Sequence, residues 1–384
     1  MRGITLLVWT AIVCVPVWGQ HKLEPSDFKT ASECKACHSE IYAQWKTSTH
    51  SEAFRDPIYQ AVLKAVSEKT EGRSERFCVS CHSPLASVTN TIPDRPFAVK
   101  DPSPLLADGV TCMFCHTISG QEVKVSRVSL GAFLFPRIGQ TKVLYGRHPD
   151  AKTPHHETEV SSFLLSSELC GTCHRFAHPA SGNVIQDTYA EWKNSPYAAE
   201  GKRCQDCHMP AYSGKVAASG KQRPELHAHV FMGGHTEMIK KAATIKLNGT
   251  WKADNLEVTA EVINSGAGHL IPTGIPGIRQ MWLEVSVFDG GQAVKTETRP
   301  FGLELFDGKK QPAMPWDAVS IGKDTRIAPK QSRLEKIDFR LARTSGIRVE
   351  ARLLERLVSE QAARYAGIPA SPPLVMAQAS TSVP

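Results

Sequence analysis

Five copies of one short pattern, Cys-x-x-Cys-His, lie between positions 34 and 208 of this 384-residue chain and limit its fold more than any other feature. The copies are Cys34-Lys35-Ala36-Cys37-His38, Cys78-Val79-Ser80-Cys81-His82, Cys112-Met113-Phe114-Cys115-His116, Cys170-Gly171-Thr172-Cys173-His174 and Cys204-Gln205-Asp206-Cys207-His208. Two thiols three positions apart can form thioethers to both vinyl groups of one porphyrin edge, and the adjacent histidine then reaches the iron. The pattern therefore predicts five covalently bound haem c groups, attached through these ten cysteines, with the five motif histidines as iron ligands.

Disulfides and zinc sites also use paired cysteines. The chain has 11 cysteines, and only Cys14 lies outside the motifs. Disulfides suit an exported protein and zinc binds both cysteine and histidine, but neither requires a histidine directly after every pair. A random chain of this composition would contain roughly 0.01 such motifs. Haem attachment is therefore the interpretation that the motifs favour.

The spacing of the motifs indicates how the haem region is built. It leaves about 35 residues for each haem, too few to form an ordinary side-chain core around each porphyrin. We expect a mostly helical and irregular multihaem cytochrome c domain over residues 20–242, with closely packed haems forming much of its core. Asp56-Pro57 is typical of a helix start and predicts a helix that continues to Lys69.

The following region has a different pattern. Residues 243–358 contain no cysteine and one histidine, His269, and their apolar residues alternate with polar ones, as in 256–262. Asn248-Gly249 and Asp289-Gly290 are typical of hairpin turns. This region predicts an antiparallel β-sandwich of the immunoglobulin-like type, so the chain is expected to be an α+β multidomain protein. Residues 359–384 predict a short helix and a disordered tail.

The N-terminus has the layout of a secretory signal peptide. Arg2 precedes an apolar stretch over residues 4–17, and Gly19 supplies a small residue for cleavage. We therefore predict a signal peptide over residues 1–19, no transmembrane span in the mature chain, and a periplasmic or extracellular location. An uncleaved anchor and a lipid-modified Cys14 are the alternatives.

The net charge does not indicate a nucleic-acid partner. The 45 basic and 38 acidic residues give +7. Loss of Arg2 and five ferric haems with ionised propionates, at about −1 each, would bring the total near +1. The basic residues therefore mostly balance propionates.

A sequence repeat lies within the motif region. Residues 42–50, Tyr-Ala-Gln-Trp-Lys-Thr-Ser-Thr-His, match residues 189–197, Tyr-Ala-Glu-Trp-Lys-Asn-Ser-Pro-Tyr, and each copy lies between two motifs. His50 at the end of the first copy corresponds to Tyr197 in the second. We expect His50 to bind iron and Tyr197 to pack near a propionate, with Tyr197 marking an iron that lacks a second histidine ligand if one exists.

These segments resemble the multihaem cytochrome family typified by the tetrahaem electron acceptor of hydroxylamine oxidoreductase. The resemblance rests on residues 33–54, 109–118 and 168–210 and covers about half of the chain. It implies haems stacked in close pairs, mostly with two histidine ligands, that pass single electrons. The chain departs from that family in having five motifs and a β region. The β region resembles a domain appended to exported multihaem cytochromes, on residues 266–274.

Ten histidines lie outside the motifs, and five haems need up to five of them as second axial ligands. His50 is the first choice. His229 and His235 flank a compact Phe-Met-Gly-Gly stretch, His156 precedes the fourth motif, and His269 lies in a loop rich in glycine and proline. We therefore predict His50, His156, His229, His235 and His269 as the distal ligands, with Met113, Met209 and Met232 as less favoured alternatives.

The sequence favours an electron carrier whose redox protein partners, both donor and acceptor, are not specified. One alternative is a multihaem oxidoreductase that acts on a small nitrogen or sulfur compound at one open haem. Another is a subunit of an extracellular cytochrome filament, which would form oligomers. The number of iron-bound histidines distinguishes the first two functions.

Overall fold

The computed structural model describes residues 22–121, 133–135, 143–177, 182–233 and 237–384. The predicted signal peptide, Cys14 and His235 lie outside these ranges. Within them, no helix combines the length and the apolar character needed to cross a membrane.

Short helices joined by turns make up most of the motif region. The α-helices are α1 Ala31–Cys34, α2 Ser39–Lys46, α3 Pro57–Thr70, α4 Glu75–His82, α5 Pro84–Val88, α6 Pro104–Ala107, α7 Cys112–Thr117, α8 Glu168–Gly171, α9 Thr188–Lys193, α10 Pro196–Ala199 and α11 Cys204–His208, with 3-10 helices at Pro25–Asp27, Pro96–Ala98 and Glu237–Lys241. The predicted helix start at Asp56 is confirmed, since its carboxylate accepts a hydrogen bond from the Tyr59 backbone N–H at 2.8 Å.

Small two-stranded sheets connect these helices. Their strands are β1 Gly120–Gln121, β2 Phe133–Leu134, β3 Val143–Gly146, β4 Glu157–Val160, β5 Phe176–Ala177, β6 Val184–Gln186, β7 Ala211–Lys215 and β8 Gln222–His227. The pairs are β1–β2, β3–β4, β5–β6 and β7–β8, of which β3–β4 is parallel. The buried apolar side chains of the described motif region form separate small clusters, around Phe114 and around Leu63. Such a divided core fits the expectation that other groups fill the space between the helices.

Two antiparallel sheets follow. The strands are β9 Thr244–Lys252, β10 Asn255–Ile263, β11 Gln280–Asp289, β12 Gln292–Phe301, β13 Leu303–Phe306, β14 Ser320–Asp324, β15 Ser332–Arg340, β16 Ile347–Arg356 and β17 Leu374–Val383, and helix α12 is Glu360–Ala366. One sheet has the order β15-β10-β9, the other has β12-β11-β16-β17, and β13 pairs with β14.

The strict alternation of buried apolar and partly exposed side chains along each strand explains why these strands form two facing layers. On β10, Leu256, Val258, Ala260 and Val262 are fully buried while their neighbours are partly exposed. Successive side chains on a strand point to opposite faces, so each sheet has one apolar face. The buried faces of both sheets belong to one apolar cluster. The prediction of helices plus antiparallel sheets is confirmed, and the immunoglobulin-like type stays a prediction.

Two expectations for this region were wrong. The predicted disordered tail is ordered at residues 374–383, because strand β17 pairs with β16 along its whole length and buries Met376 and Val383. The small polar residues of strand β17 occupy the outer face of an edge strand. The sequence of this segment therefore lacks the strong hydrophobic alternation that would have predicted a strand. Asn248-Gly249 lies inside strand β9, and the turn falls at residues 253–254. The Asp289-Gly290 turn is confirmed.

Candidate haem-binding sites

Each motif forms a helical turn that brings its three chemically important residues to one side. In the first motif the His38 backbone N–H donates to the Cys34 carbonyl at 2.9 Å, and in the fourth His174 donates to Cys170 at 2.9 Å. Residues three and four positions apart lie on the same face of such a turn. The ten motif cysteines form no disulfides with one another.

Four of the five motif histidines, His38, His82, His116 and His208, are held through Nδ1 by a backbone carbonyl, whereas the Nδ1 of His174 lies 3.0 Å from the Gln186 amide nitrogen. His38 Nδ1 lies 2.7 Å from the Val216 carbonyl oxygen, and His82 Nδ1 lies 2.7 Å from the Ala53 oxygen. A carbonyl only accepts hydrogen bonds, so Nδ1 carries the proton and Nε2 keeps its lone pair. This is the tautomer that a histidine needs to bind iron through Nε2.

Four of these histidines face a second histidine. The ring centroids are 6.4 Å apart for His38 and His156, 6.4 Å for His50 and His174, 6.3 Å for His116 and His229, and 6.3 Å for His208 and His269. An imidazole nitrogen binds a metal at about 2 Å and lies about 1.1 Å from its ring centre, so two imidazoles on opposite sides of one iron have centroids about 6.3 Å apart. The four pairs therefore fit an iron between them.

Burial favours the neutral imidazole in three of the non-motif members of these pairs, His50, His229 and His269. Burial lowers the pKa of His50 to about 3 and the pKa values of His229 and His269 to about 4. Nδ1 of His229 bonds the His227 carbonyl at 3.0 Å, and Nδ1 of His269 bonds the Leu270 carbonyl at 2.9 Å. Neutral imidazoles with Nδ1 protonated are prepared to bind a metal through Nε2.

The second motif differs from the other four. Among the described residues, the ring in closest contact with His82 is that of Tyr59, which stacks on it with centroids 3.7 Å apart and planes 9° apart. The Tyr59 hydroxyl is buried and has no hydrogen-bond partner within the described ranges, and burial raises its pKa well above the usual value. The sequence does not reveal the role of Tyr59, because a tyrosine in the first turn of a helix carries no sign of such a contact.

The structure brings four of the five predicted distal histidines opposite motif histidines: His50, His156, His229 and His269. The fifth, His235, lies outside the described residues. The expectation that Tyr197 packs near a propionate stays a prediction. Its hydroxyl donates to the Ser265 carbonyl at 3.3 Å, and the Lys330 ammonium lies 5.0 Å from its ring, so it contacts the β region.

Thiols of different motifs also meet. The Cys34 and Cys112 thiols are in hydrogen-bonding contact, as are Cys81 with Cys173 and Cys170 with Cys204. The first motif thus adjoins the third, and the fourth adjoins both the second and the fifth. Since each motif attaches one haem edge, this arrangement places the five attachment sites side by side.

Short helices and strands that carry five such motifs, four of them with opposed imidazole pairs, define a multihaem cytochrome c. The model of the family "Cytochrome c554 and c-prime" matches residues 33–117. A penta-haem cytochrome c552 from Thermochromatium tepidum has a similar fold, with a TM-score of 0.72 and 22% identity, and the match covers 94% of this chain and 100% of that one.

A CARDB domain from Pyrococcus furiosus matches at 14% identity over 37% of this chain and 86% of its own, with a TM-score of 0.19, so the two folds are not closely similar. No curated protein matches the chain significantly. The resemblance to the acceptor of hydroxylamine oxidoreductase stays a prediction.

Proposed function

We propose that the chain is an exported multihaem c-type cytochrome that carries single electrons along five closely packed haems. The observation that carries the proposal is the set of four imidazole pairs with centroids 6.3–6.4 Å apart. When bound, haem supplies reversible one-electron chemistry, and the protein supplies its attachment, axial ligands and surroundings.

The opposed histidines would hold four of the haems between two imidazoles each, which would leave no position for a substrate on those irons. The burial that lowers the pKa of His50 and His269 also keeps these imidazoles unprotonated at neutral pH. The contacts between thiols of neighbouring motifs support short distances between the attached groups.

For the second motif we propose His235 as the distal ligand. Phe231, four residues before it, packs edge-on against His50 with centroids 4.4 Å apart. His82 lies close enough to His50 to lower its pKa further. Phe231 and His50 therefore lie near the second motif, and His235 follows Phe231 by only four residues. With His235 as its distal ligand, the second motif would also bind its haem through two histidines.

Partner proteins are expected to approach the first and fifth motifs. Cys37 and Cys207 are exposed, whereas the other motif cysteines are half-buried. An exposed attachment edge shortens the distance to a docked redox partner. We propose that these edges exchange electrons with the donor and the acceptor in the periplasm or outside the cell. The filament subunit stays a prediction.

Ferric-state EPR of the purified holoprotein tests this function. An intact mass larger than that of the processed chain by five haems establishes loading. We expect low-spin signals from all five irons, and His235→Ala should make one of them high-spin. Two or more high-spin irons in the wild-type protein would contradict the carrier.

A second candidate is an oxidoreductase acting on a small nitrogen or sulfur compound at the second motif. It is favoured by the Tyr59 contact, since His82 is the motif histidine without an opposed imidazole among the described residues. Tyr59 would hold the plane of the His82 ring. One wild-type high-spin signal that responds to cyanide, nitrite or hydroxylamine, unaltered in His235→Ala, would establish an open iron and favour this candidate over the carrier.

A further inference from the structure

The sequence repeat is also a structural duplication that includes a haem motif. Trp45 of the first copy donates its Nε1–H to the Val110 carbonyl at 2.9 Å, and Trp192 of the second donates to the Lys202 carbonyl at 2.9 Å. Val110 and Lys202 each lie two residues before the first cysteine of a motif, the third and the fifth. Each repeat copy is therefore fixed to the start of a different motif by the same bond.

Backbone contacts extend the correspondence. Val110 N–H donates to the His50 carbonyl at 2.9 Å, and Lys202 N–H donates to the Tyr197 carbonyl at 3.0 Å. The glycines before these donors, residues 109 and 201, both have positive φ, +62° and +75°. Residues 42–50 with the third motif and residues 189–197 with the fifth motif thus form two copies of one module.

Gln44 and Glu191 occupy the same position in the two modules, and both reach the chain segment that supplies the opposed histidine. In the first module the Gln44 Oε1 accepts from the His229 backbone N–H at 2.9 Å, and His229 faces His116 of the third motif. The amide of Gln44 therefore fixes the backbone of that histidine directly.

In the second module Glu191 acts across the boundary to the β region. One oxygen accepts from the Thr273 hydroxyl at 2.6 Å, and the carboxylate also accepts from the Leu270 backbone N–H. Leu270 follows His269, which faces His208 of the fifth motif. The carboxylate of Glu191 therefore holds both ends of the short loop that begins at His269.

The surroundings of Glu191 explain a charged residue where the first module has an amide. Its side chain is 6% exposed, and Arg326 from the β region bonds its second oxygen at 2.8 Å. A buried carboxylate requires such a partner. The Arg326 guanidinium also bonds Asp324, so one cation from the β region is shared by two carboxylates. Thr188 adds a hydroxyl contact to Thr273 at 2.8 Å.

We propose that Glu191 is a positioning residue that sets the loop 270–273 so that His269 meets the iron at His208, and that Gln44 does the same for His229. The inference rests on the proposed ligation by His269. On this proposal, each copy of the repeat positions one distal histidine. The first copy positions His229 of the motif region, and the second positions His269 of the β region.

The test compares Glu191→Ala and Glu191→Gln in the haem-loaded full-length protein, by ferric EPR and by protease sensitivity. Glu191→Ala should convert one of the five irons wholly or partly to high spin and speed cleavage near residues 240–241. Glu191→Gln keeps an oxygen for Thr273 and Leu270 and should stay closer to the wild-type spectrum. Glu200→Ala is the matched control, because Glu200 pairs with Lys330 across the same boundary but at an exposed position.

The variant His269→Ala distinguishes failure of the proposed ligation by His269 from failure of the positioning role of Glu191. If this variant leaves every iron low-spin, the ligation itself is refuted. If it yields one high-spin iron while Glu191→Ala keeps the wild-type spectrum, the ligation stands and the positioning role is overturned. Should Glu191→Ala fail to mature, Thr273→Val removes one contact from the loop side and must shift the same signal. An unchanged signal in that variant also overturns the positioning role.

Discussion

Replacing Gly109 by alanine tests whether the third motif and the ligand His50 are mechanically linked. Gly109 has φ +62°, and a Cβ there would lie 2.5 Å from the His50 carbonyl oxygen and 3.2 Å from the Ala53 nitrogen. Gly201, its counterpart in the second module, has φ +75° but no atom within 4 Å of the added Cβ. The two substitutions share the backbone penalty and differ in the clash.

The expected costs follow from that difference. A left-handed alanine costs about 1–2 kcal/mol, which is the whole expectation for Gly201→Ala. Gly109→Ala adds forced displacement of packed atoms, about 1–3 kcal/mol more. Because the displaced atom belongs to His50, whose ring faces His174, the variant should also alter the EPR signal of that iron.

Guanidinium titration of the haem-loaded proteins measures the free energy of unfolding, and EPR of the same samples reports the iron. Gly201→Ala should be less destabilised and spectrally unchanged. Equal losses in the two variants, with identical spectra, would show that His50 is not held against residue 109 and would refute the linkage.

Three further expectations concern the β region. Met376→Ala should destabilise the protein by about 2–5 kcal/mol in thermal or chemical unfolding, since Met376 is 5% exposed, while Val375→Ala at a 37% exposed position should cost far less; equal effects would contradict a buried strand β17. Ser359→Ala should cost about 1 kcal/mol, because the Ser359 hydroxyl caps helix α12, and a change within error would exclude that role. Burial raises the pKa of Glu355 while the charge of Arg279 opposes the shift, so the ionised carboxylate is disfavoured in the fold. The wild type should therefore lose stability relative to Glu355→Gln as the pH rises through the pKa of the folded protein, and a difference independent of pH between about 4 and 7 would contradict this.

The parts of the site that were predictable from sequence are those encoded locally. A Cys-x-x-Cys-His motif contains its whole attachment chemistry within five residues, and alternation along a strand such as β10 is visible without its neighbours. Which histidine faces which motif is a property of the tertiary structure. His229 faces His116 from more than a hundred residues away, and no pattern in the sequence states this pairing.

The sequence repeat also shows that tertiary contacts are not visible in the sequence. Its sequence predicts different roles for His50 and Tyr197 but does not show which part of the chain each of them contacts. His50 faces a motif histidine within the same region, whereas Tyr197 contacts the β region. The hydrogen bonds to Val110 and Lys202 are conserved between the modules because they depend on the backbone and on a tryptophan, which both copies keep.

The contacts between thiols of different motifs bear on whether haem is attached before or after the chain folds. A polypeptide that folded before haem attachment would hold Cys34 against Cys112, Cys81 against Cys173 and Cys170 against Cys204. In an oxidising compartment such neighbours join as disulfides, which would link separate motifs and block both attachment edges. Attachment of haem before the chain folds would avoid these cross-links, because the finished thioethers would leave no thiol to form them.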